Sequence, residues 1–416
     1  MNQVTTRASG IEPIGWPEGL TQVPFRVYQN PSVLEQEQHA LFEGPVWNYL
    51  CLAGEIPNPG DWRTTFVGRM PVVVVRTESG EIAAFENRCV HRGALICLDN
   101  AGKAARDFAC VYHAWRYDLS GNLTSVAFRR GVNGEGGMPD SFEPGRYSLR
   151  RMRVTVLRGL VFGTFGPDTL PIEDYVGPEV LAALSRTAGR ELQVIGRFTE
   201  VLPNNWKLYA ENVRDAYHAS LLHVFFATFR INRLSQGGGV DISANGGCHV
   251  STAFVPTEEA DSSYDNLRSV DAGLTLSDPR MLDAVDEHGD RIRQQILSVF
   301  PGFAMQRTYN VMAVRQFVPR TVSETDLHWT YLGYADDTPE LRRKRLRQLN
   351  LAGPAGFISM EDGCIGNFVE RGAAVAPADA VSRLEMGGSD YKSQPTRATE
   401  SAVRGFWHMW RGIMGQ

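Results

Sequence analysis

Long apolar runs are missing from this sequence. No stretch approaches the roughly 20 residues needed to span a bilayer. The first twenty residues, MNQVTTRASGIEPIGWPEGL, are polar and broken by Gly and Pro, with no apolar signal core. Basic blocks are missing too: 42 Lys and Arg face 47 Asp and Glu, a net charge of −5. That balance gives no footprint for nucleic acid or an anionic membrane. Six cysteines in 416 residues are too few for a disulfide framework in a chain of this size. There is no internal repeat and no GxGxxG dinucleotide fingerprint, so nicotinamide chemistry would belong to another protein. The expectation is a soluble cytoplasmic protein of two or three domains.

From about Trp47 to Pro167 the text is a series of short β-rich runs joined by tight turns. Pro71–Arg76 and Ile82–Glu86 flank Glu78-Ser79-Gly80. Trp115–Leu119 and Asn122–Val126 flank Ser120-Gly121, and Arg153–Leu157 and Leu160–Thr164 flank Arg158-Gly159. Such spacing predicts a compact all-β module. Before it lies an irregular lead-in and a helix over 33–41. After it the pattern mixes helices (205–223, 338–351, 396–413) with strands (247–255, 308–320, 325–335), an α+β domain with an antiparallel sheet. The stretch 256–290 is acidic, loop-like and expected to be mobile. The boundaries read as 1–44, an N-terminal part of the second domain; 45–166, the β module; and 167–416, the α+β domain.

Two constellations carry chemistry. In the β module Cys89-x-His91 is followed, after eighteen intervening residues, by Cys110-x2-His113. Two thiolates and two imidazoles fill a tetrahedral zinc site. They equally hold a two-iron, two-sulfide cluster, each loop giving one ligand to each iron. Cys97, between the loops, reads as a buried thiol. In the α+β domain, Asp215-x2-His218-x4-His223 offers two imidazoles, and two histidines with a carboxylate make the facial set that leaves an iron open on one side. Five residues turn an ideal helix by about 140°, so both reach one metal only if the helix breaks or bulges there. Met360-Glu361-Asp362 places adjacent acids near a helix start.

CVHRG followed by CVYHAWRYDLSGNL resembles the Rieske cluster signature, with Val111 and Ala114 where that signature usually has proline and glycine. Together with the His218/His223 motif, the chain from about Val23 to Gln416 resembles the large (α) subunits of Rieske non-haem iron ring-hydroxylating oxygenases. The resemblance implies an all-β Rieske [2Fe-2S] domain and a helix-grip catalytic domain, an antiparallel sheet with helices wrapped around an apolar cavity. Cys89 and Cys110 would bind one iron of the cluster, His91 and His113 the other. His218, His223 and Asp362 would hold a mononuclear Fe(II), with Glu361 the fallback. Asp215 would hydrogen-bond a ligand histidine and link it to a Rieske histidine of a neighbouring subunit. NADH or NADPH would act only through a separate reductase. The assembly would be a trimer of α subunits or α3β3 with a small (β) subunit.

GPVWNYLCLAGEIPNPGD, LPNNWKLYAENVRDAYHASLLH, RINRLSQGGG, LSVFPGF and GPAGFISMEDG are most similar to the subunits that attack benzene-carboxylates, terephthalate 1,2-dioxygenases above all. That implies cis-dihydroxylation of an aromatic carboxylate by O2, with salicylate, anthranilate or halobenzoate chemistry as the alternative. A carboxylate in an apolar cavity needs a cation. Arg315 lies in an apolar stripe with Val311, Ala313 and Phe317, and Arg307 shares that parity at the strand's start. Arg397, before the last helix, is the third candidate. The bland reading for each is a salt bridge to a protein carboxylate. Two rivals fall outside the oxygenases: an electron carrier whose second domain merely binds a ligand, and a zinc-stabilised binding module.

Overall fold

The computed structural model describes residues 14–104, 106–256 and 262–416. The chain divides into two compact units, Glu43–Thr169 and Met1–Phe42 with Leu170–Gln416. Residues 1–13 of the lead-in and 257–261 of the acidic stretch lie outside the described residues. Among the described residues no helix is long and apolar enough to cross a membrane.

The 43–169 unit is built from three small antiparallel sheets. All three hairpins expected from the turn signals are present: Met70–Arg76 pairs with Ile82–Glu86, Arg116–Asp118 with Leu123–Ser125, and Arg153–Leu157 with Leu160–Thr164. Gly80, Gly121 and Gly159 sit in these turns at φ +85°, +80° and +79°, a backbone region that L side chains resist. One core of buried residues, including Val73, Phe85, Trp115 and Tyr117, runs beneath the cysteine loops.

In the larger unit a seven-stranded antiparallel sheet carries the architecture. Its strands are β1 (Leu192–Leu202), β2 (Gly238–Ile242), β3 (His249–Phe254), β4 (Ile292–Val299), β5 (Phe303–Thr308), β6 (Val311–Thr321) and β7 (Glu324–Tyr334), in the spatial order β1-β7-β6-β5-β4-β3-β2. Five helices matter for the site: α1 (Trp206–Arg214), α2 (Ala219–Leu222), α3 (Val224–Thr228), α4 (Ser359–Ala373) and α5 (Ser401–Met414). The α5 helix buries Phe406, Trp407, Trp410 and Met414 completely.

Strand β6 is buried over nearly its whole length, Val311 through Val318, apart from Gln316. Both faces are therefore covered, and its sequence alone does not say which one lines a cavity. The register does. Ser251, Ile296, Gln306 and Ala313 are cross-strand neighbours, as are His249, Ser298, Ala304 and Arg315. These two rows share one face.

Arg307 does not share it. The expected single strand through residue 308 is interrupted by a turn at Tyr309 and Asn310, with Tyr309 at φ +54°, so Arg307 belongs to β5. It pairs with Met312, whose parity on β6 is opposite to that of Arg315. Arg307 instead meets Glu287 at 3.0 Å, and Glu287 also meets Arg345 at 2.5 Å, within an ion network completed by Asp337. Glu287 ties down the end of the acidic stretch, which otherwise holds only short 3-10 turns at Ser262–Tyr264 and Pro279–Leu282 among its described residues.

The expected helix at 33–41 begins earlier, at Pro31, under an Asn30 cap. It widens into a π-turn at Glu37–Phe42. The change delivers a fully buried Glu37 carboxylate to Lys207 Nζ at 2.8 Å and to the indole N–H groups of Trp206 and Trp410, each at 2.8 Å. Burial pulls the Lys207 ammonium below its usual range and Glu37 pulls it back. Removing one partner leaves a buried charge alone. Lys207→Met is expected to cost about 3–5 kcal/mol in urea unfolding, and the Glu37→Gln/Lys207→Met pair less than that.

Candidate metal centres

The two cysteine loops of the 43–169 unit have the same backbone. Cys89 N–H donates to Ala94 O and Gly93 N–H returns to Cys89 O; Cys110 N–H donates to Trp115 O and Ala114 N–H returns to Cys110 O, all at 2.8–3.0 Å. The fourth position after the cysteine takes positive φ in the first loop (Gly93, +76°), and the corresponding residue closes the second (Ala114, +52°). Asn87 braces the first loop from behind, accepting from the N–H groups of Ile96 and Cys97.

Both cysteines are buried, while His91 is exposed at the rim. Tyr117 OH accepts from Val90 N–H and lies 3.3 Å from Cys89 Sγ. The His91 and His113 rings are 4.5 Å apart, and His91 stacks on Trp115 at 4.8 Å with an interplanar angle of 1°. His113 Nδ1 is buried without a partner. Burial raises the Cys89 thiol, eased by the Tyr117 hydroxyl. An orphaned ring nitrogen and paired buried thiols fit a metal group that supplies positive charge. Among the described residues the only donor set close enough to share one ion is a different one, His218/His223/Asp362. One cysteine and one histidine on each loop suit a two-iron cluster, in which each loop gives one ligand to each iron. Cys97 is buried and its thiol pushed up to about 12 by burial and Asp99; it has no ligand role in this geometry.

The second centre arises from two helix breaks. Asn205 caps α1 through Lys207 N–H, and α1 ends where Asp215 turns extended (φ −82°, ψ 95°). The Asp215 carboxylate accepts from the N–H groups of Tyr217 and His218 at 2.8 and 3.3 Å, taking over bonds the helix would have made. After one turn of α2 the chain breaks again at His223 (φ −84°, ψ 97°). The helix expected over 205–223 is therefore two short pieces, α1 and α2, with α3 starting beyond the second break, and the breaks bring both imidazoles to one point.

At that point Asp362 Oδ1, presented by the first turn of α4, lies 3.4 Å from His218 Nε2 and 3.3 Å from His223 Nε2. Glu361 does not compete for the spot. Its Oε2 takes His223 Nδ1 at 2.7 Å, fixing the proton there and leaving the Nε2 lone pair for a cation. Asp215 Oδ2 stands 3.4 Å from His218 Nδ1. Asn212 donates to Asp362 Oδ1 at 3.0 Å. Burial opposes charge on all three groups, yet they charge one another. Asp215 and Asp362 lift His218 to about 10, Asp362 and Glu361 raise His223, and the two imidazoles hold Asp362 well below the usual carboxylate range. Protons supply the positive charge that a divalent ion would otherwise bring.

A cavity of about 40 Å³ opens from this triad toward the sheet, lined there by Gln294, Gln306, Arg315 and Arg397. It has room for solvent and not for a benzene ring. Arg315 is buried, donates to Tyr209 OH at 2.9 Å, and leaves Nε and Nη2 without partners. Arg397 is held by the Asn232 side chain and the carbonyls of Arg233 and Gln236; its Nε is unpartnered, and burial lowers it to about 10. On the far side of the triad lies an open groove of about 530 Å³, with Leu208, Leu221 and Ile365 beside Asp215, Glu211 and Glu400. Asn212, Asp215, His218 and Asp362 line both spaces. Sequence reasoning missed Asn212, Asn232, Gln294 and Gln306. Uncharged amides carry no signal until the fold places them.

Three outcomes test these centres. Glu361→Ala should weaken divalent-ion retention by about 10–100-fold, read as iron content after dialysis, whereas Asp362→Ala should abolish it. Because the metal-free His218 imidazole holds its proton above neutrality and its neighbours raise His223 as well, ion affinity should rise with pH. Ala114→Gly should stabilise the second loop by about 0.5–1 kcal/mol, measured as a higher denaturation midpoint.

Residues 46–133 match the family model of the Rieske [2Fe-2S] domain, and residues 189–416 that of the ring-hydroxylating alpha subunit catalytic domain. The chain is 54% identical over 399 residues to a terephthalate 1,2-dioxygenase terminal oxygenase component, subunit alpha 2, of Comamonas sp, covering 95% of this chain and 96% of the relative. It is 42% identical over 398 residues to the anthranilate 1,2-dioxygenase large subunit of Burkholderia cepacia, covering 95% and 94%. Its fold is similar to that of naphthalene 1,2-dioxygenase from Rhodococcus sp., with TM-score 0.77 at 20% identity over 95% of each chain. With a Rieske module, a helix-grip domain and a His/His/Asp triad in one chain, this protein belongs to the α subunits of the Rieske non-haem iron ring-hydroxylating oxygenases, a family of enzymes.

Proposed function

We propose that this chain is the terminal oxygenase subunit that cis-dihydroxylates an aromatic dicarboxylate, with terephthalate the first candidate. The observation that carries this is a pair of buried arginines without a carboxylate partner in the cavity that opens from the triad. Elsewhere in the same sheet a buried arginine is matched by an acid, as Arg307 is by Glu287. Among the described residues no carboxylate pairs with Arg315 or Arg397, which leaves both available to an anion from outside the chain.

In this reading His218, His223 and Asp362 hold the mononuclear iron, and Cys89, His91, Cys110 and His113 hold the cluster. When bound, the iron supplies O2 activation, and the cluster supplies electrons from a separate NAD(P)H reductase. The chain's own residues do the rest. Arg315 takes one carboxylate through its free Nε and Nη2, and Arg397 takes the other. Ring carbons of a molecule clamped at its two ends then face the triad. Glu361 keeps the His223 proton on Nδ1, and Asp215 orients His218 while facing the groove where a neighbouring subunit's Rieske unit docks. Solvent leaves as the ring enters. The wall yields where α2 and α3, only four and five residues long, carry it. The Rieske and catalytic domains correspond to 45–166 and to 1–44 with 167–416. The protein works in the cytoplasm as an α3 or α3β3 assembly.

A second reading is a monoacid substrate such as anthranilate or salicylate. Arg397 already bonds an amide and two carbonyls, leaving Arg315 as the cation with two N–H groups to spare. The relatives acting on those acids, an anthranilate 1,2-dioxygenase and a salicylate 5-hydroxylase of Ralstonia sp, are 42% and 35% identical.

The test is oxygen uptake and product identity with NADH and reductase across terephthalate, isophthalate, phthalate, salicylate, anthranilate and benzoate. Terephthalate should be turned over to a cis-diol diacid. Arg315→Leu and Arg397→Leu should each lower kcat/KM at least about 30-fold, the equivalent of about 2 kcal/mol. Turnover confined to a monoacid, with Arg397→Leu unaffected, favours the second reading.

A further inference from the structure

Two routes lead from the cluster loops to the surface of the 43–169 unit. One is the tip, where His91 is exposed beside Val90, Val111 and Tyr112. The other is a chain of rings. His91 stacks on Trp115 at 4.8 Å, Trp115 meets Phe142 and Tyr147 at 6.0 Å each, and Phe142 stacks on Tyr147 at 4.8 Å. Trp115 and Phe142 are buried; Tyr147 is 36% exposed. Contacting rings from a cluster ligand to the surface make a short path for an electron, whose transfer rate falls steeply with distance.

The mouth of that path has its own surface. Arg129 lies over the Phe142 ring at 5.4 Å and donates to Phe142 O. Arg130 next to it is exposed. Phe128 is 76% exposed and held at φ +53°, a conformation a bulky residue adopts only where its surroundings enforce it. The 43–169 unit carries fifteen Lys and Arg against thirteen Asp and Glu, net +2 in a chain of −5.

We infer that reducing electrons enter through Tyr147 and Trp115, and that the electron donor, an NAD(P)H reductase with an acidic docking face, seats over Phe128, Arg129, Arg130 and Tyr147. This rests on the reading above that the tip faces the neighbouring subunit's Asp215, which leaves the donor a different door. The step is one electron per encounter. A reduced flavin or ferredoxin-type centre of the reductase loses it, the Rieske cluster gains it, and no bond in this chain forms or breaks.

The experiment is anaerobic stopped-flow reduction of the oxidised cluster by NADH-reduced reductase, followed at the cluster's visible band. No aromatic acid is present, so a wrong substrate assignment leaves the result untouched. Tyr147→Leu should slow the saturating rate, and Tyr147→Phe, which keeps the ring, should not. Arg130→Glu should raise the reductase concentration giving half the maximal rate by roughly tenfold. Dithionite should reduce all three as it does the wild type. Val111→Asp, at the tip, should leave cluster reduction intact and slow the passage of electrons onward in single turnover. Should Tyr147→Leu lose its cluster, Arg130→Glu, at an exposed position, decides alone. Wild-type kinetics in Tyr147→Leu and Arg130→Glu would overturn the proposal. So would a block of reductase-driven reduction by Val111→Asp, which would put the donor at the tip.

Discussion

A single buried carboxylate oxygen organises the larger unit. Asp362 Oδ1 faces His218 Nε2 at 3.4 Å and His223 Nε2 at 3.3 Å, and accepts from Asn212 as well. An isolated carboxylate there would be too costly to bury. The chain meets the cost by breaking a helix twice so that two imidazoles converge. It then spends Asp215 and Glu361 on the outer nitrogens of those rings. Each piece depends on the others. Were α1 to run on unbroken, the imidazoles would diverge and Asp362 would be stranded.

The same economy separates the two kinds of buried arginine around the sheet. Arg345 and Arg307 are neutralised by Asp337 and Glu287 and serve as structure. Arg315 and Arg397 are equally buried and hydrogen-bond only to a phenol, an amide and carbonyls, with the Trp329 ring 5.1 Å from the Arg315 guanidinium. A guanidinium can be solvated this way, but Arg315 Nε and Nη2 and Arg397 Nε meet no anion among the described residues. The asymmetry gives the cavity beside the triad a cationic lining.

What the sequence made legible follows from range. The cluster loops are local: each ligand pair lies within a few residues of its turn, so spacing alone identified Cys89, His91, Cys110 and His113 as a set. The three hairpins of the small unit were legible for the same reason. Strands β1, β2, β4 and β5 went unmarked, although Pro301-Gly302 punctuates the β4–β5 turn; their place is set by neighbours far along the chain. Arg307 was misjudged because the strand read over 308–320 was taken to begin without a break, and its parity was carried back to Arg307. The turn at Tyr309 and Asn310 contains neither Gly nor Pro, and it moves Arg307 to the other face. Asp362 was reached only through family resemblance. Nothing in Met360-Glu361-Asp362 distinguishes the carboxylate that meets two rings from the one that orients a ring. Val111 and Ala114 show that departures from a signature can be absorbed, since Ala114 takes up positive φ where a glycine would have been easier.

An aromatic acid held between the arginines and the metal triad would lie beside the iron. Nitric oxide added to the iron-loaded protein reports on that space through the electron paramagnetic resonance signal of its iron complex. Terephthalate should shift the signal in the wild type, with the shift lost in an Arg315→Leu/Arg397→Leu double variant that retains its iron. A shift that persists in the double variant, or terephthalate binding that leaves the signal unchanged, would contradict the account.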